Sequence, residues 1–194
     1  MFIAVRRELE PLVVSVLPSA VVRGRKNPLY LGLSTRLKRA RNDANLSFDS
    51  IAKAAGLTDG STVVHLERKP GHIPRLDTVE RIAYGLGISP AYLAYGLDGE
   101  CSPAEPLRAL EVGERLRQSR LSRGLSGLAL AQLAGTSHTA VGNIERGGTM
   151  PTIATVEALA KGLEISPAWL GYGLGPQVLP SRRASRAPLP SADH

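Results

Sequence analysis

Cysteine, aromatic residues and long apolar runs are what this sequence has least of. Its 194 residues include one cysteine, Cys101, so no disulfide can form within the chain. That suits a reducing cytoplasm. Aromatic residues make up 4 %, with a single tryptophan. Such a composition fits small helical units with Leu, Ala, Val and Ile cores better than a large β-sandwich. The apolar run over 12–22 is broken by Pro18 and falls short of the ~20 residues needed to span a bilayer. Residues 1–7 place their charges after the apolar residues, the reverse of a secretory signal. A soluble, cytoplasmic, nucleoid-associated protein is the expectation, with no membrane partner. Catalytic and metal-binding constellations are missing too. The carboxylates and four histidines form no nucleophile or acid/base pattern. His65, His72, Cys101 and His138 lack metal-ligand spacing, and there is no glycine-rich phosphate loop. An enzyme, a metal site and a cofactor are therefore not expected. Acidic residues are outnumbered, 17 against 24 Lys and Arg, and the net charge of +7 favours polyanionic partners, nucleic acid before anionic membrane.

What is present is helical periodicity. Residues 1–32 read as a poorly defined arm, with Pro11 and Pro18 and a small basic cluster at Arg23, Arg25 and Lys26. From Leu33 the residues Leu33, Leu37, Ala40 and Ala44 mark one helical face. Ser47 is positioned to cap a second helix that ends at Gly56. A third helix fits 61–68, and Val79, Ile82, Ala83 and Leu86 mark a fourth. Ser89-Pro90 is a start signal for a fifth, with serine as cap and proline at the first helical position. Residues 98–111 are acidic and proline-rich and read as a linker.

The pattern then recurs. Val112, Leu116 and Ser119 replace Leu33, Leu37 and Ala40, and Ile144-Glu145-Arg146 replaces Leu66-Glu67-Arg68. Residues 74–97 align without gaps with 151–174, and 15 of those 24 positions are identical. This is an internal duplication of a unit too long to be one solenoid repeat. The expected fold class is all-α: two tandem five-helix bundles, 33–97 and 112–174, joined by the linker. Residues 175–194, rich in proline and arginine, read as a flexible basic tail.

Within the second copy, Ser126 opens a short apolar helix, Gly135 supplies a turn, and 137–145 fits a second helix with Val141 and Ile144 facing inward. Two short helices about a glycine turn make a helix-turn-helix. Around it lie Arg115-Leu116-Arg117 and Arg120, then Leu125-Ser126, Ala131, Ile144-Glu145-Arg146-Gly147, Pro151 and Ser166-Pro167-Ala168-Trp169-Leu170. This ordered set, present twice, resembles the phage repressor/Cro (XRE-like) helix-turn-helix family over about two thirds of the chain.

The resemblance implies lambda-repressor-like bundles with helix 3 in the major groove of double-stranded DNA. His138, Thr139 and Asn143 would then face base edges, with Ser61 and His65 as counterparts in the first copy. Asparagine can pair with adenine N6 and N7. Ser137, Arg36, Lys38, Arg115, Arg117, Lys69 and Arg146 are the phosphate candidates. Arg41 with Glu67, and Arg120 with Glu145, are expected as structural ion pairs.

Departures from the family pattern weaken the first copy as a reader. Phe48 and Gly127 stand where many members carry a glutamine. The first copy has one extra residue between Gly56 and Glu67, and it places Asp59 and Gly60 where helix 3 begins. The function expected is a sequence-specific transcriptional regulator, by expectation a repressor. Its two heads would read an asymmetric site, with homodimerisation left open. The alternative is a protein-interaction module, antitoxin-like or polymerase-contacting, with one or both DNA-reading surfaces lost.

Overall fold

The structure, a computed structural model, describes residues 28–69, 71–97 and 108–178. Most of the expected arm, the acidic centre of the linker and the basic tail lie outside the described residues. Among the described residues there are ten α-helices and two short 3-10 helices, with no strand. In chain order the helices are α1 (Leu33–Asp43), α2 (Phe48–Ala54), α3 (Ser61–Arg68), α4 (Leu76–Gly85) and α5 (Pro90–Tyr95). They continue as α6 (Val112–Ser122), α7 (Gly127–Ala134), α8 (His138–Glu145), α9 (Ile153–Gly162) and α10 (Pro167–Tyr172).

Local chemistry sets the ends of these helices. Ser47, Ser126, Ser137, Thr152 and Ser166 each accept a backbone N–H at a helix start. Gly135, Gly96 and Gly173 close α7, α5 and α10 in the left-handed region, where glycine carries no Cβ penalty. Ser89 holds the cap position of α5, but its hydroxyl is buried without a partner among the described residues.

Helix α1 packs on α3 and α5, α2 on α3 and α4, and α4 on α5. Helices α6–α10 repeat those neighbours: α6 on α8 and α10, α7 on α8 and α9, and α9 on α10. Leu37, Ile51, Val63, Val79, Ile82 and Leu93 form one part of the core, and Leu116, Leu130, Val141, Val156, Leu159 and Leu170 the other; all are essentially inaccessible to water. Each fully buried aliphatic side chain of this size contributes about 1.5–3 kcal/mol.

Between α1–α5 and α6–α10 the contacts come in reciprocal pairs. Leu76 N–H donates to Pro151 O at 2.9 Å, and Ile153 N–H to Pro74 O at 3.2 Å. Arg75 and Thr152 form a single antiparallel bridge between them. The buried hydroxyl of Tyr95 donates to Ile153 O at 3.1 Å, and that of Tyr172 to Leu76 O at 3.4 Å. The two rings tilt against each other with centroids 6.4 Å apart. Burial pushes both phenols well above their ordinary pKa. Residue i meets j and the counterpart of j meets the counterpart of i, the signature of an isologous two-fold contact.

The 3-10 helices are part of this clasp. In the first, Leu29–Gly32, the amides of Leu29 and Tyr30 donate to the Glu157 carboxyl of α9 at 2.7 and 3.0 Å. In the second, Arg108–Glu111, the amides of Arg108 and Ala109 donate to the Glu80 carboxyl of α4 at 2.7 and 2.9 Å. Residues 29–32 and 108–111 were expected in the arm and the linker. They are ordered by glutamates 128 and 28 positions away, a cause that no local pattern can display.

Candidate nucleic-acid interface

Helices α7 and α8 meet at Gly135, whose φ of 65° turns the chain by a route that suits glycine. Ser137 Oγ then accepts the Ala140 amide at 3.1 Å and starts α8. Val141 and Ile144 are buried, which turns Ser137, His138 and Thr139 outward and leaves Asn143 half-buried on the outer side. Replacing Ser137 with alanine is expected to cost about 1 kcal/mol of stability through the lost cap. Thermal unfolding of the full chain measures it, and an unchanged midpoint would show that the cap adds nothing.

The far end of α8 is fixed by charge. Arg120 of α6 donates from Nε and Nη2 to the two Glu145 carboxyl oxygens at 2.6 and 2.9 Å, and from Nη1 to Leu125 O at 2.8 Å. In the first half, Arg41 makes the same fork to Glu67 at 2.8 and 3.0 Å. The hydrogen bonds to glutamate raise the pKa of both arginines. Planar two-point pairing of this kind carries geometric precision as well as energy. It sets the pose of α3 and α8 against α1 and α6.

Arg36 and Arg115 are placed otherwise than expected. Arg115 donates to the carbonyls of Leu170, Gly171 and Arg108 at 2.9, 2.6 and 2.6 Å. Arg36 does the same to Leu93, Ala94 and Leu29 at 2.9, 2.6 and 3.1 Å. Desolvation lowers the pKa of both guanidinium groups. They satisfy carbonyls at the C-terminal ends of α5 and α10 and the first carbonyl of each 3-10 helix, so the phosphate role expected for them does not fit this geometry. Lys38, Arg117, Lys69 and Arg146 are exposed.

The first half differs at the start of its third helix. Asp59 Oδ1 accepts the Ser61 amide at 2.8 Å, and its hydrogen bonds to Ser61 hold its pKa below the usual carboxyl value. Asp59, which precedes the Gly60 cap position, thus fastens the turn that leads into α3. Gly60 is buried, and a Cβ there would stand 2.6 Å from Asp49 Oδ1 and 3.1 Å from the Phe48 backbone. Phe48 lies under Arg41 and Arg68, at 4.5 and 5.6 Å from ring centroid to guanidinium carbon. Ser61 and His65 remain exposed. In the second half Gly127 stands in place of Phe48, and the His138 imidazole occupies the space; a Cβ at 127 would lie 3.0 Å from it. Among the described residues, no three His, Cys, Asp or Glu side chains are grouped to hold a metal ion. No helix among them is long and apolar enough to cross a membrane.

The element built around Gly135 is a helix-turn-helix, and residues 116–170 match the family model described as Helix-turn-helix. Among particular proteins, the chain is similar to the HTH-type transcriptional regulator DicA of Escherichia coli K12, 38 % identical over 64 residues that cover 33 % of this chain and 47 % of that one. The chain thus spans about half the length of this curated relative. Among solved structures, the restriction-modification controller protein C.AhdI from Aeromonas hydrophila is 37 % identical over 32 % of this chain and 94 % of its own, with a TM-score of 0.31. An HTH_3 family transcriptional regulator from Vibrio cholerae is 44 % identical over 32 % of this chain and 36 % of its own, with a TM-score of 0.30.

Proposed function

We propose that the chain is a sequence-specific, double-stranded DNA-binding transcriptional regulator of the cytoplasm. In this reading it carries two helix-turn-helix domains, 33–97 and 112–174, clasped face to face. The observation that carries the reading is the polar outer face of α8, with Ser137, His138 and Thr139 exposed while Glu145 ties the helix to α6. Arg117, Lys38 and Lys69 supply phosphate contacts. The clasp gives α3 and α8 a two-fold relation, as two half-sites about 34 Å apart require. One chain then stands where a homodimer would, with α5 and α10 already used against each other. Because Ser61 and His65 face outward on α3 where Thr139 and Asn143 stand on α8, the site is asymmetric.

An electrophoretic shift of the full chain on selected duplex DNA, titrated against salt, tests this. Binding should prefer one sequence, saturate at one chain per site and weaken steeply with salt, the log–log slope being about −0.9 per neutralised phosphate. Absence of a shift at low salt would leave the second reading, a protein-interaction module. The acidic start of α3, where Asp59 is engaged by the Ser61 amide, favours that reading for the first half alone.

A further inference from the structure

Arg146, just past the end of α8, turns back and donates from Nη2 to Asn143 Oδ1 at 2.9 Å. A guanidinium has donors only, so it is the amide oxygen that must face it. The same guanidinium lies across Gly142: a Cβ there would stand 3.1 Å from Nη1 and 3.4 Å from Nη2. A missing side chain at 142 and an amide oxygen at 143 together make a seat for the arginine head on the outer side of α8. The first half has no such seat. Its counterparts are Val64, His65 and Arg68, and there Arg68 lies over the Phe48 ring instead.

The seat changes what this end of α8 offers to a base. Adenine presents an acceptor at N7 beside a donor at N6, so an asparagine that reads it needs a free oxygen. Here that oxygen already holds a cation, and the adenine amine would be brought against a positive charge. The groups the pair still offers outward are N–H donors, from the Asn143 amide and the Arg146 fork. Guanine presents two acceptors, N7 and O6, which match two donors. We propose that Arg146, held by Asn143 across Gly142, reads a guanine in the major groove, with Asn143 as its positioning residue. The assignment rests on the DNA-binding reading above, and within it replaces the adenine role of Asn143 and the phosphate role of Arg146. It applies to the half-site under α8 and not to the one under α3.

Selection from random-sequence duplex DNA, followed by titration of the selected sites, tests the assignment with the full chain and with Arg146→Ala, Arg146→Lys and Asn143→Asp. Melting curves confirm that each variant is folded. Wild-type sites should share a guanine in one half-site, and replacing it with 7-deazaguanine, which lacks N7, should weaken binding. Arg146→Ala and Arg146→Lys should both lose about ten-fold or more of the discrimination at that base while leaving other positions unchanged. Asn143→Asp still accepts from Arg146 and brings no donor of its own, so it should keep the guanine. A selected site without that guanine overturns the assignment alone, as does an Asn143→Asp variant that exchanges the preferred base. So does an Arg146→Ala variant that weakens all sequences alike and lowers the salt slope by about one, the mark of a phosphate contact. No selected sequence at all overturns the regulator reading, and the guanine with it.

Discussion

Replacing Glu80 with alanine is expected to destabilise the whole chain by about 3–5 kcal/mol, the sum of three hydrogen bonds to a buried carboxyl and the void it leaves. Glu80 is fully buried. Its carboxyl accepts the amides of Arg108 and Ala109 and the Tyr84 hydroxyl, the last at 3.1 Å. Truncation leaves no side chain to replace it and opens a void between α4 and the second 3-10 helix. For a chain of this length the thermal midpoint should fall by roughly 10 °C. Glu157→Ala, its counterpart, should cost less, because Glu157 is only half-buried and water can take over part of its role. Calorimetry of the two variants side by side checks the ranking. Equal losses would mean that the two ends of the clasp are alike in spite of their different burial.

Replacing Gly113 with alanine is expected to act on α8 itself. A Cβ at Gly113 of α6 would overlap the Ile144 carbonyl oxygen and stand 3.2 Å from that of Glu145. These are backbone atoms at the end of α8, a helix end whose Glu145 carboxyl is held by the Arg120 fork, so no flexible group can give way. Overpacking of this kind costs about 1–3 kcal/mol and shifts backbone. The expected result is a lowered melting temperature together with a loss of DNA affinity larger than the stability loss explains, because α8 is pushed away from α6. The first half carries a half-buried Ser34 at the corresponding place, where a side chain is already accommodated. Ser34→Gly should accordingly leave DNA affinity nearly unchanged. Fluorescence titration of labelled duplex DNA with both variants makes the comparison.

Most of the helical architecture was legible in the sequence because its causes are local. The Leu33–Leu37 and Val112–Leu116 spacings, the Ser47 and Ser126 caps and the turn at Gly135 act within a few residues. The internal repeat made the second set of helices predictable from the first. The pairing of Arg41 with Glu67 and of Arg120 with Glu145 was reached only through family resemblance. Arg36 and Arg115 were misjudged for a physical reason. An arginine in a polar stretch reads as surface charge, and nothing in its neighbours reveals carbonyls 55–58 positions away that need donors. Glu80 and Glu157 likewise sit in amphipathic helices as unremarkable acidic residues. Their role depends on which half of the chain folds against which. The Asn143–Arg146 contact was within reach, since residues three apart on a helix are neighbours. The signal would have been Gly142, a missing side chain that leaves space for the arginine head.

The reciprocal clasp of Tyr95 on Ile153 and Tyr172 on Leu76 has a consequence for dose. A reader assembled from two separate chains loses its two-headed form on dilution, so its occupancy of DNA falls with a power of concentration greater than one. Here the two halves are tethered, and a short tether holds its ends at an effective concentration in the millimolar range. Assembly is then a unimolecular folding step that dilution does not touch. For the regulator proposed above, occupancy would then follow the first power of chain concentration, a graded response without a threshold. The same tether frees the two halves from having to share one sequence.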